Sequence, residues 1–297
     1  MRMSDKKILI IFNPQAGKQY PKNYREYFLQ QLNRYLPSAT CDWLETKENL
    51  QQQLSESNLS RYDKIIVIGG DGTVKQVAEF VLRNSLNVPL AIIPQGSANV
   101  LANSLNIPAT EKAAIKIAAL GQKKVMDVGL VNDEHYFLVG LSIGLISQAV
   151  LQTELLSKNR WGILAYLLTL LKQPKPQTHT FNFIIDGQDF QTTGNTLLIT
   201  NTFSIFKVKP RHWSDYTDGR LEVMVTRNKS LFGFFPIFFF AWLNRNFTPG
   251  LFIKSGQKIE VPENSLNDLI IQLDGEPITV KKIEATILPQ KLMVITK

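Results

Sequence analysis

Lys64-Ile65-Ile66-Val67-Ile68-Gly69-Gly70-Asp71-Gly72-Thr73 is the stretch whose reading decides the fold. Lys64 to Ile68 is an apolar run with no polar alternation, the pattern of a strand buried on both faces. The glycine-rich turn behind it leads into Val74, Val77, Ala78, Val81 and Leu82, a helix face at i, i+3, i+4, i+7 and i+8. Working outward, Ile8 to Phe12 is a similar run. It ends at Asn13-Pro14-Gln15-Ala16-Gly17, and a helical pattern follows with Tyr24, Phe28, Leu32, Tyr35 and Leu36 on one face, stopped by Pro37. Ala39 to Leu44 is a short strand. Leu90 to Ile93 is a further buried strand, followed by the turn Pro94 to Asn99 and a helix that ends before Pro108. Strands as unbroken apolar runs between amphipathic helices predict a doubly wound α/β domain with a parallel sheet.

Past residue 123 the pattern changes. Strand-like stretches fall at Lys124–Val131, His135–Val139, His179–Ile185, Thr196–Thr200, Leu221–Thr226, Lys258–Val261, Leu269–Leu273 and Ile283–Leu288. Asn-Asp, Asp-Gly and Gly-Gln turns join many of them, which is hairpin chemistry. A helical insert at Trp161–Leu171 and a phenylalanine-rich stretch interrupt the series. This half reads as a mostly antiparallel β-sandwich over 124–288, with the boundary near Gly121 to Lys124.

The chain has 297 residues, 44% of them apolar and 20% charged, which excludes a disordered protein. One cysteine, Cys41, rules out a disulfide within the chain and a Cys-cluster metal site; it reads as a small buried hydrophobe. His135, His179 and His212 are scattered without metal spacing, so none is given a catalytic role. The apolar run behind the charged N-terminus is too short for a secretory signal. Leu231 to Leu243 is too short to span a bilayer, which needs about 20 residues. The formal net charge of +8 favours association with an anionic partner.

Three turns sit at predicted strand ends: Asn13 to Gly17, Gly69 to Thr73 and Pro94-Gln95-Gly96-Ser97-Ala98-Asn99. In open α/β sheets ligands bind there, beside helix N-termini whose free N–H groups favour phosphate, and glycine lets the backbone come close. Any one such turn is as easily an ordinary strand–helix connection. Three in succession make that reading much weaker.

Together with Asp127-x-Gly129, Asp218-Gly219-x-Leu221 and Asp274-Gly275-Glu276, these turns resemble the diacylglycerol-kinase-type lipid kinases, which include sphingosine and ceramide kinases. The resemblance runs in order along essentially the whole chain. A lone Gly-Gly-Asp-Gly also occurs in NAD kinases and phosphofructokinases, but the later turns are not shared with those. The resemblance implies an ATP-binding α/β domain over 1–123 with the C-terminal 289–297 returning to it, a lipid-substrate sandwich, and an active site in the cleft between them. By matching position Asn13, Pro14, Gln15, Ala16, Gly17, Thr46, Gly69, Gly70, Asp71, Gly72, Thr73, Ser97 and Asn99 bind ATP, with Ser97 in place of the usual threonine.

It further implies Mg²⁺, which bridges and neutralises phosphate oxygens and is usually held by one or two carboxylates. Asp71 and Asp127 match that role. Asp274 and Glu276 both match the general base, and the motif does not separate them. A structural Mg²⁺ is implied at Asp218, with Asp215 and Arg220 contributing carbonyl oxygens; a plain β-turn is the competing reading of that Asp-Gly. By the resemblance the chain departs from the family at Lys75, where Asn or His is usual, at Gln76, where Glu is usual, and at Ile146, where an aspartate is usual.

The implied activity is transfer of the ATP γ-phosphoryl group to a membrane-lipid hydroxyl, with diacylglycerol the first choice of acceptor. A sphingoid-base or ceramide kinase, an NAD kinase and a non-catalytic nucleotide- or lipid-binding relative are the alternatives. The expected setting is cytoplasmic, with reversible attachment to anionic lipid and no nucleic-acid partner; a homodimer is left open. Aromatic residues from Phe232 to Phe240, beside Arg227, Lys229, Arg245 and Lys254, are the expected docking element, with cover for the sandwich core as the competing reading.

Overall fold

The computed structural model describes residues 6–17, 19–145, 147, 177–202, 215–227, 250–266 and 269–297. The phenylalanine-rich docking element, the Trp161–Leu171 insert, Ile146 and His212 lie outside these residues. The chain divides into two compact units, Met1–Met126 with Gln290–Lys297, and Asp127–Pro289.

The first unit is an α/β layer structure. Its strands are β1 (Lys7–Phe12), β2 (Thr40–Glu45), β3 (Lys64–Gly69) and β4 (Leu90–Pro94), in the order β2-β1-β3-β4 and all parallel. Ile8, Ile10, Ile11, Ile65, Ile66, Val67, Ile68 and Ile93 have no exposed surface, as runs of β-branched residues require when helices cover both faces. Each such side chain contributes roughly 1.5–3 kcal/mol of burial. Helix α1 (Tyr24–Asn33) buries Tyr24, Phe28 and Leu32, one stripe at i, i+4 and i+8. Helix α3 (Asp71–Arg83) buries Val74, Val77, Ala78 and Val81, whereas Leu82 at the edge of the predicted face is only partly covered. Between them lies the short α2 (Leu50–Ser55), and α4 (Val100–Ser104) follows the turn after β4.

Helix α5 (Glu111–Leu120) packs Ala114, Ile115, Ala118 and Ala119 inward. Lys64, buried at the start of β3, donates its ammonium hydrogens to the carbonyls of Ala118 and Ala119 at the end of that helix. These carbonyls lack helical partners, so a cation satisfies them.

The second unit is antiparallel. One six-stranded sheet runs β12 (Leu251–Gly256), β11 (Leu221–Thr226), β10 (Thr196–Thr200), β7 (Gly140–Gly144), β14 (Ile271–Leu273), β15 (Glu276–Ile278). The other contains β8 (His179–Ile185), β9 (Gln188–Gly194), β13 (Lys258–Val261) and the first part of β16 (Ile283–Thr296). The end of β5 (Gln122–Val131) pairs with β6 (His135–Phe137). Phe181, Phe183, Ile259 and Ile283 from this sheet share one core with Leu141, Ile143, Leu197, Ile199, Leu221 and Val223 from the first, which makes the unit a β-sandwich. Cys41 is half-buried rather than enclosed, and burial followed by the charge of Asp42 raises its thiol pKa.

Candidate functional site

Parallel pairing of β1, β3 and β4 brings their carboxyl ends to one edge, so the three turns that follow them meet there. The Asn13 side chain braces two of them. Its Oδ1 accepts from the Gln15 N–H at 2.9 Å, and its Nδ2 donates to the Thr73 hydroxyl at 2.8 Å. Gly17 stands at φ +75°, and a Cβ there would come within 1.9 Å of the Gln95 carbonyl oxygen. The second and third turns touch at glycine: a Cβ on Gly96 would lie 2.7 Å from the Gly70 Cα. Only glycine fits such an approach. Asn99, at φ +47°, accepts from the Gly96 N–H at 2.8 Å and so folds the third turn onto itself.

Asp71 is the first residue of α3. Burial pushes its carboxyl pKa up, while backbone N–H groups of Val100, Leu101 and Asn99 pull it back. The Leu101 N–H is 3.3 Å from its Oδ1. Asp71 therefore sits where the starts of α3 and α4 converge. Thr46 continues from β2 with its N–H donated to the Phe12 carbonyl at 2.8 Å, beside the first turn, and Ser97 is exposed on the third. Pro14 is half-buried and Ala16 buried, while Gly69 ends β3, Gly70 links it to α3 and Gly72 lies in the first turn of that helix. Glycine at Gly17, Gly70 and Gly96 is thus what lets the three turns touch.

The acidic residues of the second unit form two groups. Asp127 is fully buried on β5; its Oδ2 accepts from the Gly219 N–H at 2.7 Å, and its own N–H donates to the Tyr216 carbonyl at 2.8 Å. It thereby holds the turn carrying Asp215, Asp218 and Arg220. Asp215 accepts from Thr217 N–H and hydroxyl, Asp218 from the Arg220 N–H, and Arg220 donates to the Ser255 carbonyl. Burial, opposed by the Arg220 N–H, and then the charges of Asp215 and Asp127 raise the Asp218 carboxyl pKa. Glu222, on β11 beside this turn, was not singled out in the sequence. It is buried and pushed up to about 8 by burial first and then by Asp218. Its signal was a charged residue inside the apolar run Leu221 to Val225.

Among the described residues no three His, Cys, Asp or Glu side chains are grouped to hold a metal ion. A Mg²⁺ held by one carboxylate, carbonyls and water needs no such group, and the like-charged Asp127, Asp215 and Asp218 are chemically suited to a hard cation.

The second group is the Asp274–Glu276 turn. Asp274, at φ +50°, accepts three backbone N–H groups: Leu138 at 2.7 Å on Oδ2, and Val139 and Gly140 at 2.9 Å each on Oδ1. Its carboxylate fastens the β14–β15 hairpin to the strand entering β7. Glu276, two residues on, opens β15 with an exposed side chain. The structure thus gives two carboxylates that the sequence could not separate quite different surroundings.

Lys75 is buried on α3, and the Gln76 carbonyl accepts from the Gln51 side chain at 3.0 Å. His135 Nε2 lies 3.7 Å from the Glu134 carboxylate, and the His179 ring lies against Phe181.

Fold and turns define a class: an α/β unit with a glycine-lined strand edge of the phosphate-binding kind, joined to an antiparallel sandwich. Residues 7–131 match the family model of the diacylglycerol kinase catalytic domain. A diacylglycerol kinase of Staphylococcus saprophyticus is 26% identical over 277 residues, covering 91% of this chain and 89% of that protein. One of Bacillus subtilis is 26% identical over 238 residues, covering 78% and 77%. The crystal structure of a diacylglycerol kinase from Bacillus anthracis superposes with a TM-score of 0.73 at 21% identity, over 100% of this chain and 98% of that one. Over residues 7–131 the chain is thus similar to the catalytic domain of diacylglycerol-kinase-type lipid kinases.

Proposed function

We propose that the protein transfers the γ-phosphoryl group of ATP to the hydroxyl of a membrane lipid, with diacylglycerol the acceptor. The observation that carries this is the interlocking of Gly17, Gly70 and Gly96 with Gln95, Asn13 and Thr73 at one strand edge, where three turns touch at glycine. Phosphoryl transfer asks mainly for positioning and charge stabilisation. The turns orient the triphosphate, and the start of α3 faces developing negative charge. Mg²⁺, when bound, would neutralise phosphate oxygens; Asp71 would hold it, and Asp215, Asp218 and Arg220, on the turn that Asp127 fastens, would surround a second, structural ion.

Glu276 takes the proton of the lipid hydroxyl as the acceptor oxygen attacks. Asp274 is the weaker choice of base, because three N–H groups already occupy its oxygens. No helix among the described residues is long and apolar enough to cross a membrane. A charge of +8 supports reversible attachment to anionic lipid, at about 1 kcal/mol per basic residue near the surface.

Radiolabelled ATP supplied with vesicles carrying diacylglycerol, sphingosine or ceramide, and separately with NAD, tests the reading. Labelled phosphatidate is expected, at a rate that falls with added salt. ATP binding without any phosphorylated acceptor would show a non-catalytic relative, and labelled sphingosine or ceramide phosphate alone would reassign the acceptor.

A further inference from the structure

Glycine contacts are not all that joins the first and third turns. Glu111, the opening residue of α5, accepts from the Tyr24 hydroxyl at 3.0 Å through Oε1. Through Oε2 it accepts from the Gln95 side-chain amide at 3.4 Å. The Tyr24 ring lies 4.6 Å from that of Tyr20, and the Tyr20 hydroxyl donates to the Ala16 carbonyl at 2.9 Å. Gln95 closes the circuit, since its own carbonyl is the atom that a Cβ on Gly17 would strike. Ala16, Tyr20, Tyr24, Glu111, Gln95 and Gly17 thus form a ring of contacts that leaves the first turn and returns to it through the third.

We propose that Glu111 is a positioning residue that sets the separation of the first and third turns, and with it their affinity for the triphosphate of ATP. The inference rests on the kinase reading above. A carboxylate in the first turn of a helix is favourable on its own account, through the helix dipole. That role would involve neither Tyr24 nor Gln95. Here the carboxylate uses one oxygen on a nearly buried phenol of α1 and the other on the turn itself. Phe12 and Trp43 pack on Tyr24 at 5.0 and 6.4 Å between ring centres, so the phenol cannot swing away to find water. Burial and then the Glu111 charge hold the Tyr20 hydroxyl up at about 12 and that of Tyr24 higher still. Both phenols remain donors at any physiological pH.

The test compares the full chain with Glu111→Ala, Tyr24→Phe, Gln95→Glu and the double change Glu111→Gln with Gln95→Glu. ATP affinity is read by calorimetry, and KM and kcat by turnover in mixed micelles. Glu111→Ala should weaken ATP binding and raise its KM about tenfold, the scale of a lost charge-assisted hydrogen bond, with kcat at saturating ATP kept within about twofold. Tyr24→Phe should cost about threefold.

Gln95→Glu sets two carboxylates face to face and should weaken binding. Adding Glu111→Gln restores a donor–acceptor pair of reversed sense and should recover most of the affinity. Unchanged ATP affinity in folded Glu111→Ala, a loss confined to kcat, or no rescue by the double change overturns the proposal. If Glu111→Ala fails to fold, Tyr24→Phe and the Gln95 pair decide it alone. A wild-type chain that binds no ATP overturns the kinase reading as well; wild-type binding with indifferent variants overturns this inference only.

Discussion

In the N-terminal unit the candidate binding groups are mainly backbone, gathered where three parallel strands end and pressed together at glycines. In the C-terminal unit they are carboxylates, and nearly every one described is already engaged by an N–H group of its own unit. Asp127 holds Gly219, Asp218 holds Arg220 and Asp274 holds Leu138 to Gly140. The first arrangement fails when atoms are added, the second when a charge is removed. Substitutions can therefore tell a residue that binds from one that braces.

The largest effect is expected at Gly17 and Gly96. Gly17→Ala adds a methyl carbon that cannot coexist with the Gln95 carbonyl and forces alanine to φ +75°. ATP binding should fall beyond detection by calorimetry, while circular dichroism keeps the helical signal. Retained affinity would mean that the turns need not touch.

Next comes the carboxylate pair. Glu276→Gln should lower kcat by about a hundredfold or more with an unchanged unfolding midpoint, because an amide cannot accept the hydroxyl proton. Asp274→Ala strands three N–H groups and should cost roughly 2–4 kcal/mol in chemical denaturation. If Asp274→Asn kept its stability and lost all turnover, the two roles would have to be exchanged.

The smallest effect concerns Lys64. Burial first, then the nearby charges of Lys6 and Lys123, lower its pKa from the ordinary 10.5 to about 8. Between these values the unfolded chain binds more protons than the folded one, so stability rises with pH across that window. Lys64→Gln should flatten the rise, by on the order of 1 kcal/mol after allowance for solvent screening. A wild-type curve with no rise from pH 8 to 10 would remove the assignment. The raised tyrosine pKa values act in the opposite sense at higher pH and are common to both proteins.

The parallel strands were legible because continuous β-branched runs leave no other reading, and the glycine turns because nothing but glycine tolerates such crowding. Other elements were hidden for identifiable reasons. Gly140 to Gly144, with only Leu141 and Ile143 as large apolar residues, pairs as β7 with β10 and β14. Leu251 to Gly256 carries two polar residues in succession, and β16 runs on through Pro289 although Gln290 stands at φ +52°.

At the candidate site the sequence brought out the turns but not what fastens them. Asp274 and Glu276 are two positions apart, and only the amides of Leu138 to Gly140, about 135 residues earlier, distinguish them. Glu111 is an unremarkable acid at a helix start until Tyr24 and Gln95 are seen beside it.

The Asn13–Thr73 bond spans 60 residues, and the Gly17–Gln95 contact reaches further still along the chain. Neither can close until β1, β3 and β4 have found one another, and pairings this remote in sequence form slowly because the intervening loop must first be ordered. Competence to take up a nucleotide should accordingly be among the last properties gained in refolding. A fluorescent ATP analogue would then serve as a clock for completion of the parallel sheet, lagging behind the helical signal rather than rising with it.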